Sequence, residues 1–307
     1  MNSKVLVIGR IGQAGHELVR AVWPAGLCAQ FVERDEVDLA DPPAVGAAIA
    51  AARPDIVINA GAYTAVDQAE TERDIAFAIN RDGPAALAQA CCEIGAALIH
   101  FSTDYVFNGS KPGPYVETDP VNPLSVYGAS KAEGDAAIAE RLDRHVILRT
   151  SWVYSAVGHN FVKTVLRLGA ERDELRIVDD QHGAPTAAAE LARAAIHVAA
   201  ALAAGQENGF GVFNFAGSGA TTWCGFAREI FAGAAERGAR VPGSVKPIAT
   251  EDYPLPAPRP RNSRLDCAKI GRVYGLVAKS WQDSLSDCLD ELIGPARQQR
   301  SAQGGGR

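Results

Sequence analysis

The chain has 307 residues, enough for one large domain or two modest ones, and its 47% hydrophobic and 21% charged content excludes wholesale disorder. The formal net charge is -6, with both signs mixed along the chain, which argues against a nucleic-acid partner. Six cysteines with no CxxC spacing exclude a zinc ribbon and a disulfide framework, and no apolar run approaches the roughly 20 residues of a membrane span.

In chain order, short apolar runs alternate with helical patterns. A strand over 5–8 precedes a helix over 13–22, and a strand over 29–32 precedes one over 43–52. A strand over 56–59 leads to helical stretches at 70–79 and 84–94, then come a strand over 97–101, a helix from about 127 and a strand over 146–149. Repeated βα units that bury both strand faces predict an α/β fold, a Rossmann-type doubly wound parallel sheet. The second half is less regular, with helices expected at 161–168, 187–201, 222–237 and 282–293, strands at 175–178 and 211–215, and a Pro-rich loop at 253–260. The first strand begins almost at once, without a charged segment and a long apolar stretch, so no signal peptide is expected and the chain is read as cytoplasmic.

Gly9-Arg-Ile-Gly12-Gln-Ala-Gly15 follows the first strand and opens the first helix. Glycine suits a tight turn whose backbone approaches a pyrophosphate, and the helix N-terminus adds N–H donors, so Gly9, Gly12, Gln13 and Gly15 are cofactor candidates. The spacing is GxxGxxG, which is weak evidence alone; its place between a strand and a helix at the start of the chain strengthens it. Glu33-Arg34-Asp35 ends the second strand, offering carboxylates for a free ribose 2′-hydroxyl and Arg34 for a 2′-phosphate, so NADH and NADPH both remain open. Asp38 and Leu39 are candidates to cover the adenine, and Ala60, Gly61 and Ala62 supply the small residues expected where a dinucleotide crosses strand tips.

Thr103 ends the strand over 97–101, and Tyr127-Gly-Ala-Ser-Lys131 opens a helix, where positions i and i+4 share a face. Reducing a ketone needs a proton on oxygen as hydride reaches carbon. Tyrosine, with its ordinary pKa near 10, is a poor acid–base group unless a neighbouring ammonium lowers that value. Thr103, Tyr127 and Lys131 are therefore the candidate catalytic group.

Glycine turn, threonine strand end and Tyr-Lys helix, in that order, resemble the extended short-chain dehydrogenase/reductase superfamily over nearly the whole chain. Ser-Thr-Asp-Tyr-Val-Phe-Asn-Gly at 102–109 closely resembles the STDYVFDG motif of dTDP-4-dehydrorhamnose reductases, with Asn108 in place of the more usual Asp. The stretches at 149–154, 180–186 and 259–266 are similar to later motifs of that family. The resemblance implies NADPH- or NADH-dependent reduction of the 4-keto group of dTDP-4-dehydro-L-rhamnose, with Tyr127 as proton donor, Lys131 on the nicotinamide ribose and Thr103 orienting the ketone. It implies sugar contacts at Asp104 and Trp152, with Trp223 a further candidate, and Arg259 and Arg264 for the substrate diphosphate. It also implies a possible homodimer and Mg2+ held by Glu17, Glu190 and Glu291. The expected division is a dinucleotide-binding domain at 1–150 plus about 188–215, a sugar-nucleotide domain at 151–187 and 216–295, and a disordered tail at 296–307. A dehydratase on this fold would carry Asp-Glu after the threonine, whereas Tyr105 follows Asp104 here. A non-catalytic NADP-binding regulatory subunit is the rival from another class, and the intact Thr103, Tyr127 and Lys131 favour the enzyme.

Overall fold

The computed structural model describes residues 2–295; the tail at 296–307 lies outside the described residues. The order is β1 (Ser3–Ile8), α1 (Gln13–Arg20), β2 (Leu27–Val32), α2 (Pro42–Ala52), β3 (Ile56–Asn59), α3 (Arg73–Phe77), α4 (Gly83–Ile94), β4 (Ala97–Thr103), α5 (Val126–Arg141) and β5 (His145–Thr150). There follow β6 (Val153–Tyr154), α6 (Phe161–Glu171), β7 (Glu174–Val178), β8 (His182–Gly183), β9 (Thr186–Ala187), α7 (Ala188–Ala203) and β10 (Gly211–Asn214). The chain ends through β11 (Thr221–Thr222), α8 (Trp223–Glu236), β12 (Ser244–Ile248), α9 (Ala268–Tyr274) and α10 (Trp281–Ile293).

Six strands form one parallel sheet in the order β10-β5-β4-β3-β1-β2. The chain leaves β1 to one side for β2 and returns on the other side for β3, so a crevice opens beyond the C-terminal ends of β1 and β3. Because strand side chains alternate, one face carries Val5, Val7, Ile58, Ile99 and Leu148 against Leu191, Ala195 and Val198 of α7. The other carries Leu6, Ile8, Val57, Leu98 and Ile147 against Val45 and Ile49 of α2, Leu87 and Cys91 of α4, and Ile138 of α5. Each large side chain so buried contributes about 1.5–3 kcal/mol relative to exposure. A third cluster, including Tyr154, Val162, Phe226, Ile230, Trp281 and Leu285, joins α6, α8 and α10 beside the crevice.

The short helix α9 and the two-residue strands β6, β8, β9 and β11 are not expected from the sequence, and two further departures have a clear physical reason. The helical stretches expected at 70–79 and 84–94 are joined: after α3 the chain makes one π turn, Ala78–Asp82, and runs straight into α4. Pro84 has no N–H for the Asn80 carbonyl, so the α pattern is interrupted there without ending the helix. The widened turn sets Asn80 inward, where its amide donates to Tyr63 O at 2.9 Å and Ser130 Oγ at 3.0 Å and accepts from Tyr63 N at 2.9 Å. That pins the loop after β3 to α5. The second departure is β12, unrecognised because Pro247 interrupts it; pairing only with β7, it tolerates the missing donor.

Candidate active site

A cleft of about 660 Å³ lies over the C-terminal ends of β1, β3 and β4, within the range of small-molecule sites. Its floor is the glycine turn. Gly9 has φ +89, and a Cβ there would lie 2.7 Å from Gly61 N; a Cβ on Gly15 would lie 1.9 Å from Gly9 O. Backbone therefore packs on backbone where the strand enters α1, and only glycine leaves that space. Gly9, Gly12, Gln13, Ala60, Gly61 and Ala62 all line the cleft, while Gly15 supports the turn from behind. Gln13 also reaches across, its Oε1 accepting from Asn160 Nδ2 at 3.0 Å and Ser155 Oγ at 3.2 Å.

At the end of β2 the structure separates the acidic and basic candidates. Glu33 lines the cleft and accepts from Ile11 N at 3.0 Å, whereas Arg34 points away, 69% exposed, and donates to Asp38 at 3.3 Å. Asp38 also accepts from Ala40 N at 2.9 Å, which makes it a turn residue. Leu39 is in the core, its Cδ1 pressed towards Gly61. Arg34, Asp38 and Leu39 are thus outside the cleft lining, and Glu33 is the neighbour that lines it.

The three candidate catalytic residues meet at the other end of the cleft. Ser125 caps α5, accepting from Gly128 N at 3.1 Å, and this start presents Tyr127 and Lys131 to the tip of β4. Thr103 Oγ1 donates to Asp104 Oδ1 at 3.1 Å and accepts from Tyr105 N at 3.2 Å. Burial pushes the Tyr127 phenol up to about 12; the adjacent Thr103 hydroxyl opposes this, while Asp104 and Asp135 add to it. The expectation that Lys131 lowers the Tyr127 pKa is not met in this geometry. Lys131 is fully buried and donates to Phe101 O at 2.7 Å, with His100 Nε2 at 2.9 Å, and burial lowers its own pKa to about 8 despite Asp135. Asp135 is held by Ser102 Oγ at 2.9 Å and Arg149 Nε at 3.1 Å.

Asp104 is 2% exposed and its Oδ2 has no hydrogen-bond partner. Burial pushes its pKa up to about 7, opposed by Ser263 and Thr103. A carboxyl with one oxygen left without a partner at a cleft wall is poised to accept a hydrogen bond from, or donate one to, a ligand hydroxyl.

Trp152 and Trp223 form the facing wall, stacked with ring centroids 3.7 Å apart and 10° between planes. Trp152 has φ +48, uncommon for a bulky residue, and a Cβ on Gly183 would come 2.4 Å from its ring. Trp223 Nε1 donates to Gln181 Oε1 at 3.2 Å.

The arginine and metal candidates are placed differently from expectation. Neither Arg259 nor Arg264 lines the cleft. Arg259 is paired through both terminal nitrogens with Asp67 at 2.6 and 2.7 Å, and Arg264 donates to Asn262 Oδ1 at 2.8 Å and to Pro112 O. Glu17, Glu190 and Glu291 do not form a metal cage within the chain: Arg20 sits 3.8 Å from Glu17 and 2.5 Å from Glu291, and Glu190 is bound by Arg193 at 2.8 Å and Lys279 N at 3.1 Å. Among the described residues no cluster of three His, Cys, Asp or Glu is arranged to hold a metal within the chain. Asn108 in place of Asp is explained: its Oδ1 only accepts, from Ser110 N at 3.0 Å, Ser110 Oγ at 2.8 Å and Tyr115 OH at 3.2 Å, which either residue can do.

Sequence reasoning missed His100; it offered the Glu33 carboxylate without choosing it over Arg34, and it gave no part to Tyr105, which also lines the cleft. His100 left no motif signal, because it precedes the Ser-Thr-Asp stretch inside a strand. No helix among the described residues is long and apolar enough to cross a membrane.

The family described as RmlD substrate binding domain matches residues 3–293. The dTDP-4-dehydrorhamnose reductase of Escherichia coli (strain K12) is 42% identical over 293 residues, covering 94% of this chain and 98% of that protein. Among solved structures, a dTDP-4-dehydrorhamnose reductase from Clostridium acetobutylicum is similar with a TM-score of 0.87 at 36% identity, covering 94% of this chain and 99% of that one. A second, from Bacillus anthracis in complex with NADP, has a TM-score of 0.86 at 34% identity, covering 95% and 100%.

Proposed function

The chain belongs to the dTDP-4-dehydrorhamnose reductase family, and from that premise we propose that it reduces the 4-keto group of dTDP-4-dehydro-L-rhamnose to give dTDP-L-rhamnose. The observation that carries the reading is the shared cleft: a glycine cradle fit for a pyrophosphate at one end, Thr103, Tyr127 and Lys131 at the other. The close approach of Gly9, Gly15 and Gly61 leaves the space a dinucleotide needs, so NADPH or NADH fits.

Bound there, the nicotinamide supplies hydride to the carbonyl carbon. Tyr127 supplies the proton to the carbonyl oxygen, and its raised pKa keeps the phenol protonated until negative charge develops on that oxygen. Thr103 fixes the oxygen from the strand side. Lys131 uses one N–H on Phe101 O and faces His100, which leaves a third donor of the ammonium for the cofactor ribose. Asp104 reads a sugar hydroxyl, and the Trp152–Trp223 wall gives the apolar face of sugar or base a surface to lie on. Arg259 and Arg264 reach a diphosphate only if Asp67 and Asn262 release them. The enzyme is cytoplasmic on this reading, and a homodimer is the expected assembly.

The test is oxidation of NADPH and of NADH in the presence of enzymatically generated dTDP-4-dehydro-L-rhamnose. Substrate-dependent oxidation that yields dTDP-rhamnose supports the proposal, and the ratio of the two rates reads the influence of Glu33 against Arg34. Cofactor binding without oxidation overturns it in favour of another keto-sugar or a regulatory subunit.

A further inference from the structure

Behind Lys131 a run of hydrogen bonds leads back across the sheet to the cleft floor. Lys131 Nζ is 2.9 Å from His100 Nε2, His100 Nδ1 is 3.0 Å from Asn59 Nδ2, and Gly61 N donates to Asn59 Oδ1 at 3.0 Å. Asn59 and His100 are fully buried and Lys131 is 1% exposed, so within this run no solvent molecule is available to repair a mismatched donor or acceptor.

We propose that His100 is a positioning residue for Lys131: its Nε2 holds the lysine ammonium, and its Nδ1, through Asn59, ties that charge to release of the Gly61 N–H at the cleft. The inference rests on the reading of Tyr127 and Lys131 given above. A neutral imidazole has one N–H and one lone pair. Burial and the neighbouring Lys131 hold His100 far below its ordinary pKa, so it does not carry both protons.

Two arrangements satisfy the run. In the first, Gly61 N–H donates to Asn59 Oδ1, Asn59 Nδ2 donates to His100 Nδ1, and His100 Nε2–H donates to the lone pair of an uncharged Lys131. In the second, the Lys131 ammonium donates to His100 Nε2, His100 Nδ1–H donates to Asn59 Oδ1, and the turned-over Asn59 amide no longer accepts from Gly61. Going from the first to the second takes up one proton from the solution in the cleft, which Lys131 lines: in net terms Lys131 gains a proton and the single imidazole proton of His100 moves from Nε2 to Nδ1. The two ends of an asparagine amide have nearly the same shape, so the exchange requires little movement of neighbours. Gly61 lines the cleft, so a ligand oxygen that accepts its N–H favours the second arrangement and with it the charged lysine. The other charged and titratable groups here are Tyr127 and Asp135 on α5, Asp104 after β4, and Arg149 on β5, which is paired with Asp135.

The experiment has two readouts. The first is the pH profile of kcat for His100→Leu and His100→Gln beside the unmodified enzyme. Leu removes the acceptor from the ammonium, and the alkaline limb moves to lower pH by about one unit, roughly a tenfold loss on that limb. Gln keeps an oxygen near the place of Nε2 and restores the limb. A uniform loss in both variants, with the limb unmoved, overturns the proposal. The second readout is nitrogen-15 NMR of imidazole-labelled unmodified protein, with the His100 signal assigned by its loss in His100→Gln. Above about pH 8, where Lys131 loses its proton, free protein shows the Nε2–H tautomer and NADPH moves it to Nδ1–H. One unchanged tautomer overturns the coupling. Because the second readout needs no sugar substrate, it remains decisive even if the keto-sugar assignment fails.

Discussion

On one side of the cleft Lys131 lines the wall and is joined behind it to His100 and Asn59 by buried hydrogen bonds of 2.9–3.0 Å; on the other, Trp152 lies on Trp223 with no hydrogen bond between them. The first wall stands on strands β3 and β4 and helix α5, inside the sheet. The second stands on the segment after β5 and the start of α8, at the edge of a separate apolar cluster. Directional bonds with no water nearby allow few arrangements, so the polar wall holds reacting groups in register. Stacking is tolerant of sliding, and the Trp152 backbone at φ +48 costs about 1–3 kcal/mol that the surrounding packing must offset. On the proposed function, chemistry falls to the polar side and recognition to the aromatic one, a division that point substitutions can break.

The largest expected effect is at Tyr127. Tyr127→Phe removes the proton and little volume, so kcat falls by about 10²–10⁴-fold while NADPH affinity measured by fluorescence is kept. A near-normal rate would remove Tyr127 from the mechanism and with it the chemical role of the polar wall.

Asp104 sharpens the comparison through stability. Its folded-state pKa, pushed up to about 7, lies above the unfolded value near 3.9, so its favourable contribution is complete below about pH 4 and is lost as pH rises through 7. Asp104→Asn removes that loss. Its Tm relative to the unmodified protein should rise from pH 4 to pH 8, by an amount on the order of a few kcal/mol in stability. A difference in Tm independent of pH would mean that the carboxyl is not strained by burial.

The smallest effect is expected on the aromatic wall. Trp223→Ala should raise KM for the sugar nucleotide about tenfold, the worth of one stacking contact, and leave the KM for NADPH unchanged. Equal effects on both ligands would show that the two walls do not divide the work.

The sequence by itself determined the sheet and singled out Thr103, Tyr127 and Lys131 as candidates. Short continuous apolar runs alternating with helical patterns, glycines at 9, 12 and 15, and Tyr127 four residues before Lys131 are local signals, each spanning only a few residues. The Thr103, Tyr127 and Lys131 candidates meet in the cleft because a strand tip and a helix start are each specified locally and parallel pairing brings them together. Only the tertiary structure decided the rest. Glu33 rather than Arg34 lines the cleft because side-chain direction at the end of β2 depends on Ile11 N, 22 residues away. Arg259 is turned to Asp67, 192 residues distant, and the three glutamates are met by arginines or a backbone N–H. Which partner a charged side chain meets is set by contacts that no local pattern encodes. The same holds for His100: inside a strand it reads as an ordinary core position, and its role depends on α5 bringing Lys131 within 2.9 Å.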